Sequence, residues 1–409
     1  GGNRFLLYAD PILVSAGDIV LTSGSGGAID ASIAAVLNAV GSITIDAGLD
    51  VVGAAMLTAG SAINVTGAFN AGDLATLTAG TAITLGNNFT SGGDATLNAN
   101  DGINVNGDFT ASGNIVFNAD ANSSVDGNDT LTLANGVTVE STGGSVSFDS
   151  ATSALGSISV LALNGIDVNG AFASLGATVF DADSDSNSAG NFTVSATGSV
   201  ATNNNTLSIK ARDVDLQGAL NAGAAGDIVL TMSGTGHIQL GDSTLCSSCP
   251  MQISGAELEN MTAATLTVDN LNGAIFVDNV TALNSQNIGA VTLNSGKHLS
   301  IRGNASTFNA LTANATTDMD VFVSVTTVAG DLILTGDSDA SGGSRFLLFS
   351  DPVLTSAGDI VLTSGSGGTI DASVAAVMGA AGSIVINAGL DVVGAAMLTA
   401  GGSITLGGD

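Results

Sequence analysis

Apolar residues recur every 20 positions in the first part of the chain, and polar and apolar residues alternate around them. Four such columns are Ile43, Ile63, Ile83 and Ile103; Ile45, Val65, Leu85 and Val105; Leu49, Phe69, Phe89 and Phe109; and Leu57, Leu77, Leu97 and Phe117. Alternation is typical of strands, in which successive side chains point to opposite faces. Gly and Asn punctuate the joins, as in Thr66-Gly67. The pattern predicts short β-strands separated by tight turns.

A fixed 20-residue period with two or three strands per period predicts a β-solenoid, an all-β fold in which the chain coils and each coil stacks on the one before. Stacking closes the backbone hydrogen bonds between coils and aligns equivalent side chains about 4.8 Å apart. The apolar columns should then form one continuous core. Residues 33–40 also fit a short helix, with Ile33, Val36, Leu37 and Val40 at helical spacing, but the 20-residue step favours a coil of the solenoid.

A longer repeat contains the short one. Residues 1–67 return at 342–408 with a constant offset of 341, and 48 of the first 60 positions are identical. The run Ser15 to Gly27 returns unchanged as Ser356 to Gly368. We therefore predict one complete long repeat at 1–341 and the start of the next at 342–409, continuous with the same solenoid.

Composition and charge narrow the range of functions. Charged residues make up 10% of the chain, three of the 36 acids are Glu, and the net charge is −30. The scarcity of polar helix formers excludes a helical protein, and 45% hydrophobic residues argue against disorder. Six Lys and Arg cannot neutralise a phosphate backbone, so we expect no nucleic-acid partner. No apolar run is long enough to predict a transmembrane segment.

Two stretches resemble a known family. The string at 60–79, with Ile63-Asn64-Val65 and Phe69, and the string from Arg4 to Pro11 resemble filamentous-haemagglutinin-like adhesins of Gram-negative bacteria. The resemblance rests on period and composition over essentially the whole chain. It implies a right-handed parallel β-helix that is secreted to the extracellular cell surface, although no secretion domain of that family is recognisable in the sequence.

Calcium is the cofactor that we considered, and the weak candidate ligands are Asp181, Asp183 and Asp185. Their alternate spacing, followed by Asn187, resembles the start of an oxygen-rich calcium loop. Ser186 stands where the turn glycine is expected, and position 192 is Phe instead of Glu. A solvated loop between coils is therefore favoured, and no cofactor is assigned. Asp337 and Asp339 are weaker candidates still.

The Cys246-Ser-Ser-Cys249 segment has three interpretations. A zinc site needs two more ligands, and neither His237 nor His298 has the spacing to supply them. A redox motif would need a βαβ context that this sequence lacks. A local disulfide that pins a loop is favoured, with a cross-link to another chain as the alternative.

Catalytic residues are not predicted. Lys210 lies near Arg212, and Lys297-His298 lies near Arg302, but neither group has a pair of carboxylates at a recurring spacing beside it. We interpret these basic residues as exposed groups that relieve the negative charge. Serine-elbow, phosphate-loop and metalloprotease motifs are also absent from the sequence.

The sequence as a whole predicts a non-enzymatic structural and adhesive segment of a giant extracellular repetitive fibre or surface stalk. The alternative is a carbohydrate-binding or carbohydrate-cleaving β-helix, for which one Tyr and no Trp offer little aromatic surface. No end cap is recognisable, so we expect self-association into fibres through covalent tandem repeats or end-to-end stacking. A cell-surface or glycan target is a further expected partner.

Overall fold

Three short parallel strands per turn are the repeating element of the fold. In one turn they are Ala55–Ala59, Ile63–Val65 and Phe69–Ala71, and the next turn repeats them 20 residues later. The chain makes about 19 turns of roughly 21 residues, with only 2% helix. This architecture confirms the predicted β-solenoid.

The computed structural model of the protein describes residues 5–8, 10–23, 27–124, 128–242, 246, 248–365 and 368–407. The chain divides into two compact units. The first comprises residues 1–205 and 216–219, and the second comprises residues 206–215 and 220–409. Strands Val214–Leu216 and Ala219–Asn221 each contain residues of both units.

The first unit has three sheet faces. The face that carries the Phe column contains Phe5–Leu7, Ala28–Ala31, Gly48–Val51, Phe69–Ala71, Phe89–Ser91, Phe109–Ala111, Thr138–Ser141, Ile158–Ala162 and Thr178–Asp181. The next face contains Ile12–Ser15, Ala35–Ala39, Ala55–Ala59, Ala75–Ala79, Ala95–Ala99, Ile115–Asn118, Val146–Phe148, Ile166–Val168 and Phe192–Val194. The third contains Ile19–Leu21, Ile43–Ile45, Ile63–Val65, Ile83–Leu85, Ile103–Val105, Thr130–Leu133, Ala151–Ala154, Ala171–Ser174 and Ser199–Ala201.

The second unit also has three faces. The longest contains Leu207–Ala211, Asp227–Met232, Met261–Asn270, Ile288–Ser295, Leu311–Ala315, Leu332–Gly336, Ile360–Ser364, Ile384–Asn387 and Ile404–Leu406. Another contains Ile238–Leu240, Met251–Ile253, Ile275–Val277, Leu299–Ile301, Met319–Val321, Phe346–Leu348, Thr369–Ala372 and Gly389–Val392. The shortest contains Ser306–Phe308, Val325–Thr327, Val353–Ser356, Ala376–Ala380 and Ala396–Ala400.

The predicted apolar columns are the core. Ile43, Ile63, Ile83 and Ile103 pair in register and are fully buried. In the adjacent column, the rings of Phe69, Phe89 and Phe109 stack at centroid distances of 4.6 and 4.2 Å, with interplanar angles of 8° and 5°. Parallel pairing with a constant step therefore places identical side chains directly over one another.

Residues 33–40 form a strand, because Ala35–Ala39 pairs in register with Ala55–Ala59. The structure thus selects the coil that the 20-residue step favoured over the helical alternative. Thr58 and Thr78 alternate with buried neighbours and are exposed on the outer side of the same face.

The two copies of the long repeat have the same register. Phe5 pairs with Ile29 and Ile12 with Val36, and the equivalent residues 341 positions later pair in the same way. Arg4 and the other residues among 1–4, together with 408 and 409, lie outside the described residues. The surroundings of the two copies differ, because Phe5 is 46% exposed whereas Phe346 is fully buried. Phe346 pairs with Met319 of the preceding coil, and that coil covers it.

Four turns are longer than the rest. Ile103 pairs with Leu131, Ile166 with Phe192, Ile228 with Leu266 and Met319 with Phe346, so each step exceeds 20 residues. The extra residues lie within about 120–129, 183–191, 233–260 and 337–343, and the third of these stretches also contains strands Ile238–Leu240 and Met251–Ile253 and helix Gly255–Glu259. Insertions into a solenoid go to the turns, since the three strands must keep their pairing.

Among the residues that the structure describes, two short helices interrupt the β-structure. Gly255–Glu259 begins at a capping box, in which Ser254 Oγ accepts from Glu257 N and Glu257 Oε2 accepts from Ser254 N at 2.7 Å. Ala282–Ser285 begins at a second box between Thr281 and Asn284. The Asn284 side chain donates to Glu259 Oε1 at 2.8 Å and links the two helices. The sequence analysis missed both helices, although Ser254-x-x-Glu257 is the signal of the first.

Candidate functional site

The weak calcium candidates lie at the end of strand Thr178–Asp181 and in the connection that follows it. Asp183 is fully buried, and its carboxylate accepts hydrogen bonds from the backbone N–H groups of Asn187 and Ser188 at 3.1 and 2.9 Å. Asp185 accepts from the backbone and side chain of Asn187. Asp181 Oδ1 accepts from the backbone of Asp183 at 3.3 Å. These oxygens stabilise the turn.

Asp337 and Asp339 have the same role in the insertion at 337–343. Asp337 is buried with a φ of 50° and accepts from Gly342 N at 3.3 Å. Hydrogen bonds from Ser341 hold the pKa of Asp339 below its ordinary value. Within the described part of the chain, no group of three or more His, Cys, Asp or Glu side chains is arranged to hold a metal ion.

The two cysteines lie in the insertion at 233–260. Cys246 and Cys249 are joined by a disulfide with a Cα–Cα distance of 5.3 Å. Cys249 N donates to Cys246 O at 3.0 Å, which closes a tight turn, and Cys249 is buried. The bond spans three residues and pins the turn, as in a local structural disulfide.

The first basic pair lies in and immediately after a strand that is paired on both sides. Lys210 lies in Leu207–Ala211 opposite Thr231, and both Lys210 and Arg212 are half-buried rather than exposed as the sequence suggested. Burial raises the pKa of Asp213, while backbone hydrogen bonds from Gln252 and Val214 and the nearby Arg212 charge oppose that shift. The positive charge of Arg212 thus partly offsets the effect of burial on the Asp213 carboxylate.

The second basic group belongs to a larger assembly on one face of the second unit. We name it the Phe276 cluster, and its members are His237, Phe276, His298, Arg302, Asp320 and Arg345. The Arg302 guanidinium carbon lies 4.5 Å from the centroid of the Phe276 ring. The rings of His237 and His298 approach the same ring edge-on, at centroid distances of 5.7 and 6.1 Å.

Register explains why these residues meet. His237, His298 and Arg345 each stand immediately before a strand of this face, and Phe276 and Asp320 each stand at the middle of one. Equivalent positions on parallel strands lie in columns along the sheet. Arg302 stands immediately after strand Leu299–Ile301, so the cluster occupies three columns across neighbouring strands.

Backbone contacts fix two members of the cluster. His237 Nδ1 accepts a hydrogen bond from Ala274 N at 3.1 Å. Arg302 opens a turn whose Gly303 has a φ of 83°, and the buried Asp278 carboxylate accepts from Asn304 N at 2.6 Å in that turn. A side chain at residue 303 would collide with that carboxylate, so glycine is required there.

Two carboxylates lie beside His298, and the sequence analysis did not find them. Asp320 Oδ2 lies 3.0 Å from His298 Nε2 and 3.8 Å from Arg345 Nη2. Asp318 Oδ1 accepts from Arg345 N at 3.0 Å, and its side chain is 36% exposed. For Asp320 the sequence did contain a signal. It follows Ser300 by 20 residues, which is the step between equivalent positions on neighbouring strands.

Polar atoms beneath the cluster are enclosed. Ser300 Oγ, Asp320 Oδ1 and Arg302 Nε are buried and have no hydrogen-bond partner among the described residues. Ser300 is fully buried and makes no hydrogen bond to His298 within that part of the chain. Ser300, His298 and Asp320 therefore lie close together without the contacts of a nucleophilic triad.

Comparison with protein-family models, with curated proteins and with solved structures found no match to the chain. The resemblance to filamentous-haemagglutinin-like adhesins thus stays an interpretation of the sequence pattern. Among the residues that the structure describes, no helix is long and apolar enough to cross a bilayer. The fold itself, a repetitive parallel β-solenoid, rests on the strand pairing described above.

Proposed function

We propose that the chain is a structural, non-enzymatic segment of a long repetitive fibre or surface-stalk protein that works outside a Gram-negative bacterial cell. The proposal includes an adhesive role, as the family resemblance implies. In it, solenoid coils from successive long repeats stack through covalent continuity. The fibre would need neither nucleic acid nor a cofactor.

One observation carries this proposal: the second copy of the repeated segment is built to follow another coil. Phe346, Leu348 and Leu354 of the second copy are at most 1% exposed, because the preceding coil pairs with them through Met319–Val321 and Val325–Thr327. The first copy has the same internal register. The repeated segment is therefore suited to a tandem array, in which each copy receives the coils that end the copy before it.

The Phe276 cluster supports a non-catalytic role. Asp320 is occupied by His298 and Arg345, and the Ser300 hydroxyl is enclosed, so no nucleophile faces solvent beside a base in this group. General-base catalysis needs a base within hydrogen-bond reach of the proton that it removes.

The test is the mass of the native protein from cells that produce it, measured after denaturation and reduction. An antibody against this segment should detect a species whose mass corresponds to several 341-residue repeats. Protease added to intact cells should remove that species, while a cytoplasmic control protein survives. A product of 39.5 kDa, or complete protection from protease, would refute the proposal.

A further inference from the structure

Arg302 is the unusual member of the Phe276 cluster, because it is a cation without a carboxylate partner in a strongly acidic chain. The chain has 36 acids for six Lys and Arg. Within the described ranges, no carboxylate lies in ion-pair distance of the Arg302 guanidinium. Its position is set instead by the Phe276 ring at 4.5 Å and by the turn that Asp278 caps.

Stacking on an aromatic ring orients a guanidinium before a ligand binds. Arginine loses less side-chain entropy on binding when its planar fork is already oriented, and the fork matches the two oxygens of a carboxylate. The carboxylate of the cluster, Asp320, is engaged by His298 and Arg345, and the Asp278 carboxylate accepts from Asn304 N. The chain therefore leaves an oriented oxyanion donor available at this position.

The neighbouring groups add both donors and an acceptor. His237 is exposed, and because its Nδ1 accepts from Ala274 N, the neutral ring carries its proton on Nε2 as a further donor. Asp318 accepts from Arg345 N and lies 3.9 Å from Arg345 Nε, and its partly exposed carboxylate can also accept from hydroxyl groups. It stands three strands from His237, about 14 Å away at the usual strand spacing. Donors for an oxyanion at one end of this surface and an acceptor for hydroxyls at the other suit a chain of sugar acids better than a simple anion.

The dimensions favour a small ligand over a protein. The five strands that carry or flank the cluster, from Ile238–Leu240 to Phe346–Leu348, span about 20 Å at the usual strand spacing. Stable protein interfaces bury about 800 Å² on each partner and have an apolar centre. Here the centre is a single Phe ring, one face of which Arg302 covers.

We propose that the Phe276 cluster and the adjoining Asp318 bind an acidic oligosaccharide of uronic acid units, with Arg302 as the principal donor to a carboxylate, His237 as a second donor and Asp318 as the acceptor for hydroxyls of a neighbouring unit. This site is additional to the proposed structural role and does not depend on it.

Calorimetric titration of the folded chain with a galacturonic acid hexasaccharide tests the site, with a neutral galactose hexasaccharide as the ligand control. We expect the acidic hexasaccharide to bind and the neutral hexasaccharide not to bind. Arg302→Gln and His237→Gln should each weaken binding of the acidic sugar, the former by about ten- to a hundredfold, since bonds to a charged group are lost. Arg212→Gln, a basic residue outside the cluster, should leave binding unchanged.

Circular dichroism of each variant shows whether it is folded. Because His237 is exposed, His237→Gln should fold and still test the site if Arg302→Gln does not fold. Absence of binding to the wild-type chain would overturn the proposal, as would equal affinity for both hexasaccharides. Sedimentation velocity provides the other contrary result. If the sugar-free chain self-associates and Arg302→Gln abolishes that association, the partner of the cluster is a second copy of the chain and not a sugar.

Discussion

At the scale of single residues, the core depends on equivalent side chains that repeat from coil to coil. Phe89 illustrates this, since its ring is stacked between those of Phe69 and Phe109. On the outer side of this face Asn70 donates to Asp50 at 2.5 Å, and on the longest face of the second unit Asn314 donates to Asn294 at 2.9 Å. The register that builds the core thus also builds polar ladders on the surface.

Phe89→Ala should destabilise its own coil and the two that flank it. Removal of a fully buried Phe costs about 3–5 kcal/mol, and in a solenoid each coil contacts only its neighbours. Hydrogen exchange should therefore accelerate in Phe69–Ala71, Phe89–Ser91 and Phe109–Ala111 more than in Ile158–Ala162. Thr90→Ala, on the outer side of the same strand, is the control. Equal acceleration throughout the unit would contradict local coupling.

Burial of the Asp167 carboxylate makes the stability of the fold depend on pH. Burial raises the pKa of Asp167, a hydrogen bond from the Thr193 side chain opposes the shift, and the Asp149 charge adds to it. Because the folded protein then binds this proton more tightly than the unfolded chain, the contribution of Asp167 to stability falls as pH rises from 3.8 through the raised value. The charged form of Asp167 therefore lowers the stability of the folded protein at neutral pH.

At the scale of elements, the regular coils were predictable and the insertions were not. A 20-residue step is visible in the sequence because each coil must present the same inward residues, so Ile63 and Ile83 identify their own strands. The Phe276 cluster lies where that step fails: Phe276 follows Gln239 by 37 residues, and Ser300 follows Phe276 by 24. Without the period, sequence distance no longer indicates spatial distance.

The weak calcium candidates illustrate what sequence spacing can and cannot indicate. The alternate spacing of Asp181, Asp183 and Asp185 resembles a calcium loop, and in the structure these carboxylates accept hydrogen bonds from backbone N–H groups of the turn. Short polar side chains in turns commonly bond to nearby backbone, and sequence spacing alone does not distinguish that use from ligand binding.

The Cys246–Cys249 disulfide offers a test at this scale. Because the bond closes a ring of four residues, it restricts the unfolded chain little and should contribute about 2 kcal/mol at most. A reductant should therefore lower the melting temperature slightly and leave the far-ultraviolet β-spectrum intact. The double variant with Cys246→Ser and Cys249→Ser should not respond to reductant. Loss of the β-spectrum on reduction would mean that the loop organises the surrounding coils.

At the scale of the whole molecule, charge should govern how separate copies meet. A net charge of −30 makes copies repel one another, and the screening length falls from about 30 Å at 0.01 M salt to about 10 Å at 0.1 M. Light scattering at fixed protein concentration should show dispersed material at low salt and rising lateral association as salt increases. Scattering that responds to neither sodium chloride nor calcium would show that charge does not control these contacts.

The shared register of the two long-repeat copies also bears on how the length of such a protein changes between generations. Thirteen consecutive residues are identical between Ser15–Gly27 and Ser356–Gly368, so recombination can align the two stretches. A deletion or duplication between equivalent positions would join coils whose neighbours already match. An exchange out of phase by a single residue would turn every core side chain of a strand outward. Selection would therefore retain gains and losses of whole 341-residue blocks and eliminate most other changes in length. The length of the protein would then vary in steps of 341 residues.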